Sequence, residues 1–395
     1  MWPFSFYFWQ YGGIAFAMPF LVLFYQGLGF NGTQIGLLAG ISPLVTLIST
    51  PLWTVLADTT RQHRLILSGT LLGAILGMIL YPLLTSFLAV LLVVILYSVM
   101  AAPISPMADS ATMSMLGEDR SLYGRLRLGG TFGFMLSAPL AGMLVQSYGL
   151  RLAFWGCAAM YFLALVSSQM FVHESGMPAA RPAALLTHRA HGLGLAGLLK
   201  NPRFLLFLSG ALVGGFALAL VNNFFFPYMK ELGASQSLMG LGLSLGTLCE
   251  VPIMFFGNRL LKYFKAYPLF LLALALMGLR LVLQYFAASP LQAILIQTSL
   301  GATFPAMWIA GVAFADEHAP AGMSASAQGL FNAVLFGVGT ALGGFAGGAL
   351  LESLGARGLS LLFGLVTLVS VAVILLVGKW LLRNSDGTGR KGVGC

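Results

Sequence analysis

Charge is what this chain of 395 residues has least of: Asp, Glu, Lys and Arg together make up 8% of it. A water-soluble domain of that size cannot solvate its surface with so few charges, which excludes a soluble enzyme or scaffold. Cysteine is equally sparse. Cys157 and Cys249 fall inside apolar runs and Cys395 is the last residue, so no disulfide framework is specified, and Cys395 lacks the residues a prenylation signal requires after it. Basic residues are missing ahead of the first apolar run and no small-residue cleavage site follows it, so that run is expected to stay as a helix and not to be removed as a signal peptide.

What is present is apolar. Hydrophobic residues account for 58% of the chain and the mean hydropathy is +0.91. They recur in runs of roughly 20 residues, the length that a helix rising about 1.5 Å per residue needs to cross about 30 Å of hydrocarbon. Breaks between runs predict helices over 4–26, 33–57, 64–85, 88–113, 125–148 and 151–173, then over 203–229, 235–258, 266–287, 290–315, 323–353 and 358–382. The stretch 174–202, with Pro178, Pro182 and Pro202, is too polar for lipid and reads as a linker. The expected fold class is therefore an all-α integral membrane protein of twelve transmembrane helices in two pseudo-symmetric six-helix bundles. Residues 1–173 form the first bundle, 174–202 the linker, 203–383 the second bundle and 384–395 a tail.

A net charge of +9 in a soluble protein would suggest nucleic acid. Here the basic residues sit in short loops, where their partner is the anionic inner surface of the lipid bilayer. Sixteen Lys and Arg lie on the face shared by the termini and the linker, against Lys230, Arg151 and Arg357 on the other, with Arg280 left inside a helix. The positive-inside rule then predicts a multi-pass protein of a cell membrane, a bacterial inner membrane, with both termini cytoplasmic.

Residues recur at a spacing of about 206. Gly142, Ser147, Gly149 and Arg151 match Gly348, Ser353, Gly355 and Arg357; Asp109 matches Asp316; and Gly29 and Gly36 match Gly233 and Gly240. Two halves in the same orientation are expected. Gly343, Gly344, Gly347 and Gly348 lie four apart in pairs, and Gly129 and Gly133 repeat that spacing, which suits close approach of helix backbones.

Enzyme-like patterns do not survive inspection. Gly242, Ser244 and Gly246 spell G-x-S-x-G inside an apolar helix, where a nucleophile elbow has no strand to turn from. Gly192, Gly194 and Gly197 spell G-x-G-x-x-G with no strand before them and no acid after them. No metal-ligand spacing and no cofactor motif accompanies either, so the chain is not expected to be an enzyme.

Charged groups inside the membrane carry more information, because a lone charge there costs roughly 2.5 to 3.5 kcal/mol. Glu250 is placed about eight residues from the end of the eighth predicted helix, and Arg280 about fourteen residues into the ninth. A carboxyl in that position can exchange a proton as a site opens to either side; the alternative is a structural ion pair, reached only through long side chains. Gln10, Tyr11, Asn222, Asn223, Gln328 and Asn332 are candidate hydrogen-bonding groups for a solute, each also open to a packing role. At the helix ends, Asp58 with Arg61 and Arg64, and Asp109 with Tyr123, Arg125 and Arg127, are candidates for a cytoplasmic gate or for topogenic charge and capping.

These residues resemble the major facilitator superfamily over essentially the whole chain. Leu56, Ala57 and Asp58 through Arg64 resemble its gate motif, with Thr54 where a glycine is expected and Thr59 where a basic residue is expected. Tyr123 through Gly129, Glu250 through Leu260, Pro106, Asp109 and Arg280 resemble the phenylpropionate permease branch, which is similar to the lactose permease type of proton symporter. The resemblance implies proton-coupled import of a small organic solute by alternating access, with Glu250 and Arg280 as the matching embedded charges. Proton-coupled export, an uncoupled facilitator, and a sensor or lipid flippase are the other readings; Ala138, Pro139 and Gly142 match the exporters' fifth-helix pattern only in part. The expected partners are a small-molecule substrate, protons and lipid, with the protein a monomer and no nucleic acid involved.

Overall fold

The computed structural model describes residues 1–119, 122–171, 197–299, 301–320 and 323–389. Most of the expected linker and tail, with Arg120, Arg181, Arg189, Gly192, Gly194, Arg390 and Lys391, lies outside them.

No water is available in hydrocarbon to satisfy backbone amides, so each apolar run closes its own hydrogen bonds as a helix. The helices are α1 Trp2–Gly27, α2 Gly32–Thr60, α3 His63–Leu83, α4 Phe87–Leu116, α5 Tyr123–Tyr148 and α6 Arg151–Ser168. They continue with α7 Pro202–Glu231, α8 Gln236–Tyr263, α9 Ala266–Phe286 and α10 Pro290–Glu317. The last apolar run, Ser324–Trp380, is broken at Gly355 (φ 66°, ψ 169°) into α11, 324–354, and α12, which stays helical as far as Gly389. The described residues thus form twelve helices of membrane-spanning length. The turns between α1 and α2, α5 and α6, α7 and α8, and α11 and α12 hold Gly29, Gly149, Gly233 and Gly355, all at positive φ. These are the glycines that the internal repeat pairs, and left-handed backbone is what their lack of a Cβ permits.

Several helices are interrupted within the membrane. A 3-10 turn at Met18–Phe20 breaks α1 around Pro19, and a five-residue π turn at Leu220–Phe224 breaks its counterpart α7. Helix α4 is interrupted between Ala101 and Ile104 at Pro103, its counterpart α10 between Ser299 and Thr303, and α11 carries a π segment at Ala333–Gly339. Local loss of the i to i−4 ladder inside a membrane is tolerated only where protein or a wet cavity receives the freed groups, so these breaks mark the interior of the bundle.

In the first half α1 packs against α5 and α6; in the second, α7 packs against α11. Glycine sets the spacing in both. A Cβ on Gly133 would lie 2.0 Å from the Phe8 carbonyl oxygen of α1, and one on Gly215 2.0 Å from the Leu335 carbonyl oxygen of α11.

The halves meet through α2 with α11 and α5 with α8. A Cβ on Gly348 would lie 2.1 Å from the Gly36 backbone, and one on Gly240 2.3 Å from the Ala138 carbonyl oxygen. Hydrogen bonds that cross between the halves lie in the same zone: Gly32 N to Glu352 Oε1, Ser237 to Gln146 Oε1, and Ser244 Oγ to the Met135 carbonyl. All of this is in the membrane half remote from the termini. Toward the termini the same helices expose more of their apolar side chains. On α2, Ile35 and Leu38 are buried whereas Ile48, Leu52 and Val55 are exposed; on α8, Met239 is buried whereas Phe255 is 75% and Tyr263 84% exposed. The contacts between the halves named above close the face remote from the termini.

Candidate functional site

Two clusters that contain charged residues sit in the largely apolar interior, one in each half. The first is assembled from helical spacing. Tyr7 and Tyr11 lie four apart on α1, Ser105 and Asp109 four apart on α4 with Thr112 three further on, and Tyr123 and Arg127 four apart on α5, so each helix presents one polar face. Arg127 pairs through Nη1 with Asp109 Oδ1. The Tyr7 hydroxyl donates to the same Asp109 oxygen at 2.7 Å and lies 3.2 Å from Thr112 Oγ1. Arg127 donates further to Tyr123 Oη at 3.2 Å and Tyr11 Oη at 3.0 Å. Its guanidinium carbon lies 5.6 Å from the Tyr7 ring centroid and 5.9 Å from that of Tyr11, within cation–π range. Gln10, almost fully buried, donates to Ser105 Oγ at 2.7 Å, and its Oε1 has no partner. A charge pair so wrapped in hydroxyls repays much of its desolvation.

The second cluster is less complete. Arg280 on α9 is 3% exposed and donates through Nη2 to Gln297 Oε1 on α10, while its Nε has no partner. Gln284, four residues along α9, donates to the same Gln297 oxygen at 3.3 Å. Gln297 packs against α8 where Gly246 leaves room, since a Cβ there would lie 3.3 Å from Gln297 Nε2. Glu250 lies one helical turn beyond Gly246, half-buried, and interacts electrostatically with Arg280. The two do not form an ion pair; among the described residues the ion pairs are His63–Asp58 and Arg127–Asp109. Helix α8 runs on to Tyr263, but its apolar span ends at Gly257, seven residues past Glu250, close to the depth that the apolar pattern indicates.

Other predicted residues are placed less centrally. Asn222 and Asn223 fall on the π turn of α7, Asn222 exposed and Asn223 half-buried. Asn332, just before the π segment of α11, accepts from Trp308 Nε1 at 3.4 Å. Gln328 lies farther toward the termini, donating to Ser324 Oγ at 3.1 Å and to Asp316 Oδ1 at 3.5 Å, which ties it to a helix end. Asp58 meets His63 at 3.1 Å and not Arg64, whose Nε donates to Gln169 Oε1 at 2.9 Å. Arg125 is exposed. The Asp109–Arg127 pair joins two helices of one half. Ser244, the serine of the G-x-S-x-G pattern, lies mid-helix and bonds a backbone carbonyl of the other half.

Sequence reasoning passed over Tyr7, Ser105, Gln284 and Gln297. A signal for the last was available: Gln297 interrupts the apolar run Ala293, Ile294, Leu295, Ile296, and an amide at that depth needs a partner.

A family model described as MFS_1 like matches residues 2–362. The chain is 29% identical over 380 residues to the maltose permease of Geobacillus stearothermophilus, covering 95% of this chain and 93% of that protein. It is 26% identical to the uncharacterized transporter YwbF of Bacillus subtilis, covering 95% and 92%, and 26% identical over 306 residues to the multidrug resistance protein MdtG of Salmonella dublin, covering 73% and 74%. Among solved structures, the nucleoside transporter NupG superposes with a TM-score of 0.83 at 18% identity, covering 96% of this chain and 98% of that one, which is a likeness of fold.

Proposed function

This chain belongs to the MFS_1-like family of membrane transporters, and we propose that it imports a small organic solute by proton-coupled alternating access. It is a multi-pass membrane permease and not an enzyme. In our reading, residues 1–173 and 203–383 are the two bundles that rock about the central clusters, and the linker and both termini are cytoplasmic on the strength of the basic residues there. The closed face described above is then the one remote from the cytoplasm.

The observation that carries the reading is Glu250, a carboxyl within a transmembrane helix, left without an ion-pair partner although an embedded arginine lies near it. A carboxyl locked into a salt bridge has little reason to give up or take a proton; one held near, but apart from, Arg280 can do both as the halves move. Arg280, steadied by Gln297, supplies a fixed positive charge near it. Gln10, Tyr11, Asn223 and Asn332 supply amide and hydroxyl contacts for a polar solute, and Asp58, Arg64, Asp109, Arg125 and Arg127 line the cytoplasmic side. Among solutes, a sugar-like compound is favoured by the relative named maltose permease, which this chain matches from end to end. Export is the second reading, favoured by the relatives named multidrug resistance protein.

The test is solute-driven proton movement in inside-out and right-side-out vesicles, challenged with maltose, other sugars, aromatic acids and nucleosides, for wild type and Glu250→Gln. Import by symport predicts that solute and protons move together and that Glu250→Gln abolishes the proton signal. Movement in opposite directions assigns export, and transport with no proton movement removes the coupling role of Glu250.

A further inference from the structure

On the closed face, each half reaches into the other at a helix N-terminus. Helix α2 begins with a capping box in which the Asn31 side chain accepts from Gln34 N at 2.8 Å and Gln34 Oε1 accepts from Asn31 N at 3.0 Å. That leaves the Gly32 amide of the first turn, and it donates to Glu352 Oε1 at 2.8 Å, from the end of α11 in the other half. Helix α8 begins with Ser235, whose Oγ accepts from Leu238 N at 3.3 Å. Here the Ser237 amide is left, and Gln146 Oε1, from the end of α5 in the other half, accepts from it at 3.2 Å and from Ser237 Oγ at 2.7 Å.

Gln146 and Glu352 stand 206 residues apart, the spacing of the internal repeat that pairs Ser147 with Ser353 and Gly149 with Gly355. The two acceptors are therefore repeat mates, one reaching the first residue of a helix in the other half and one the second. Both side chains satisfy amides that a helix start cannot satisfy itself, and both do so only while the halves are together. We propose that Glu352 and Gln146 are paired latches that hold the face remote from the termini closed, and that releasing them admits the state open to that face. The proposal rests on the alternating-access reading above. The latches differ in two respects: Glu352 brings a carboxylate to the positive end of α2 in one charge-assisted bond, whereas Gln146 is neutral and accepts two bonds. The charge is expected to make Glu352 the stronger of the two. The glycine contacts beneath bring the backbones together but carry no directional bond, so they set how close the halves come and the latches set how long they stay.

The experiment uses the full chain in lipid nanodiscs with Cys157→Ala, Cys249→Ala and Cys395→Ala, spin-labelled after Ser147→Cys and Ser353→Cys. Electron–electron distance distributions then report the population with the remote face open. Loss of a cap shifts an equilibrium by about fivefold. Glu352→Ala is expected to raise the open population by about that factor, Gln146→Ala by about twofold to threefold, and the double variant by roughly their product. Glu352→Gln, which copies the other latch, should restore most of the closed population, a rescue that a general loss of packing would not give. Gly36→Trp serves as a wedge, because even a Cβ there would lie 2.7 Å from the Phe345 carbonyl oxygen. A distribution that moves with the wedge but not with Glu352→Ala or Gln146→Ala overturns the latch and leaves alternating access standing. A distribution that moves with none of them overturns the alternating-access reading and the latch with it.

Discussion

The two polar clusters occupy corresponding halves of a repeated fold, yet they are built to opposite specifications. In the first, Asp109 and Arg127 are in contact and almost every remaining donor is aimed at a tyrosine or threonine. In the second, Glu250 and Arg280 are separate, Arg280 leans on the neutral Gln297, and its Nε is unpartnered. A satisfied network resists change, because moving any member costs several bonds at once; an incomplete one has several arrangements of similar free energy. The first cluster sits on α1, α4 and α5 and the second on α8, α9 and α10, of which the repeat pairs only α4 with α10, and in our proposal only the second retains the freedom that coupling a proton to a conformational change demands.

The sharpest break in this comparison is expected at Gln297. Its amide oxygen is the acceptor for a guanidinium that is 3% exposed, so Gln297→Leu leaves a buried charge without its bond and should cost about 3 kcal/mol, read as a fall in thermal stability in detergent. Gln297→Glu supplies an acceptor again and should recover most of that loss. Next is Asp109→Ala, which strands Arg127. The pair's side chains are 30% and 37% exposed, and water can reach the stranded cation, so about 2 kcal/mol is expected. In the double variant with Arg127→Ala much of that penalty should disappear, as a double-mutant cycle will show. The comparison sharpens at Glu250. With no ion pair to lose, Glu250→Gln should change stability by less than about 0.5 kcal/mol while lowering solute-linked proton movement by about tenfold or more. A large stability loss in Glu250→Gln would place Glu250 with Asp109 as a structural acid and erase the difference between the clusters.

Much of the fold was legible because the bilayer imposes a length and a polarity on each segment. The repeat was legible too, and for a deeper reason than composition: Gly36, Gly240 and Gly348 recur where backbones of opposite halves touch, and Gly29, Gly149, Gly233 and Gly355 where the turns need positive φ. A side chain is strained or crowded at those positions, which favours glycine at each and keeps the spacing visible in the sequence. The site was only half legible. Charged residues in apolar runs announce themselves, which is why Glu250 and Arg280 could be picked out, while Asp109 and Arg127 were legible only as charges at helix ends. Their partners do not. The choice of His63 over Arg64 by Asp58, or of Gln297 over Glu250 by Arg280, is fixed by how helices distant in sequence are rotated against each other. The π turns at Leu220–Phe224 and Ala333–Gly339 were equally hidden, since each is a misregister of one residue that composition does not encode.

The smallest effect is expected at Arg125, and it separates two residues that the sequence presents as equals. Arg125 and Arg127 stand two apart at the start of α5, and at about 100° per residue they point to nearly opposite sides of the helix. Arg127 turns inward to Asp109 and the tyrosines of α1; Arg125 turns outward and is exposed. A solvated cation at a membrane surface contributes through the general field of the anionic headgroups and not through a particular bond. Arg125→Ala should therefore change thermal stability by less than about 0.5 kcal/mol, and what change there is should shrink as salt is raised, whereas the loss in Asp109→Ala should be largely indifferent to salt because that pair is partly buried and held by direct hydrogen bonds. If Arg125→Ala instead matches Asp109→Ala in size and in its indifference to salt, the inward cluster extends to the outer face of α5, and the boundary between its fixed core and its solvated rim must be redrawn.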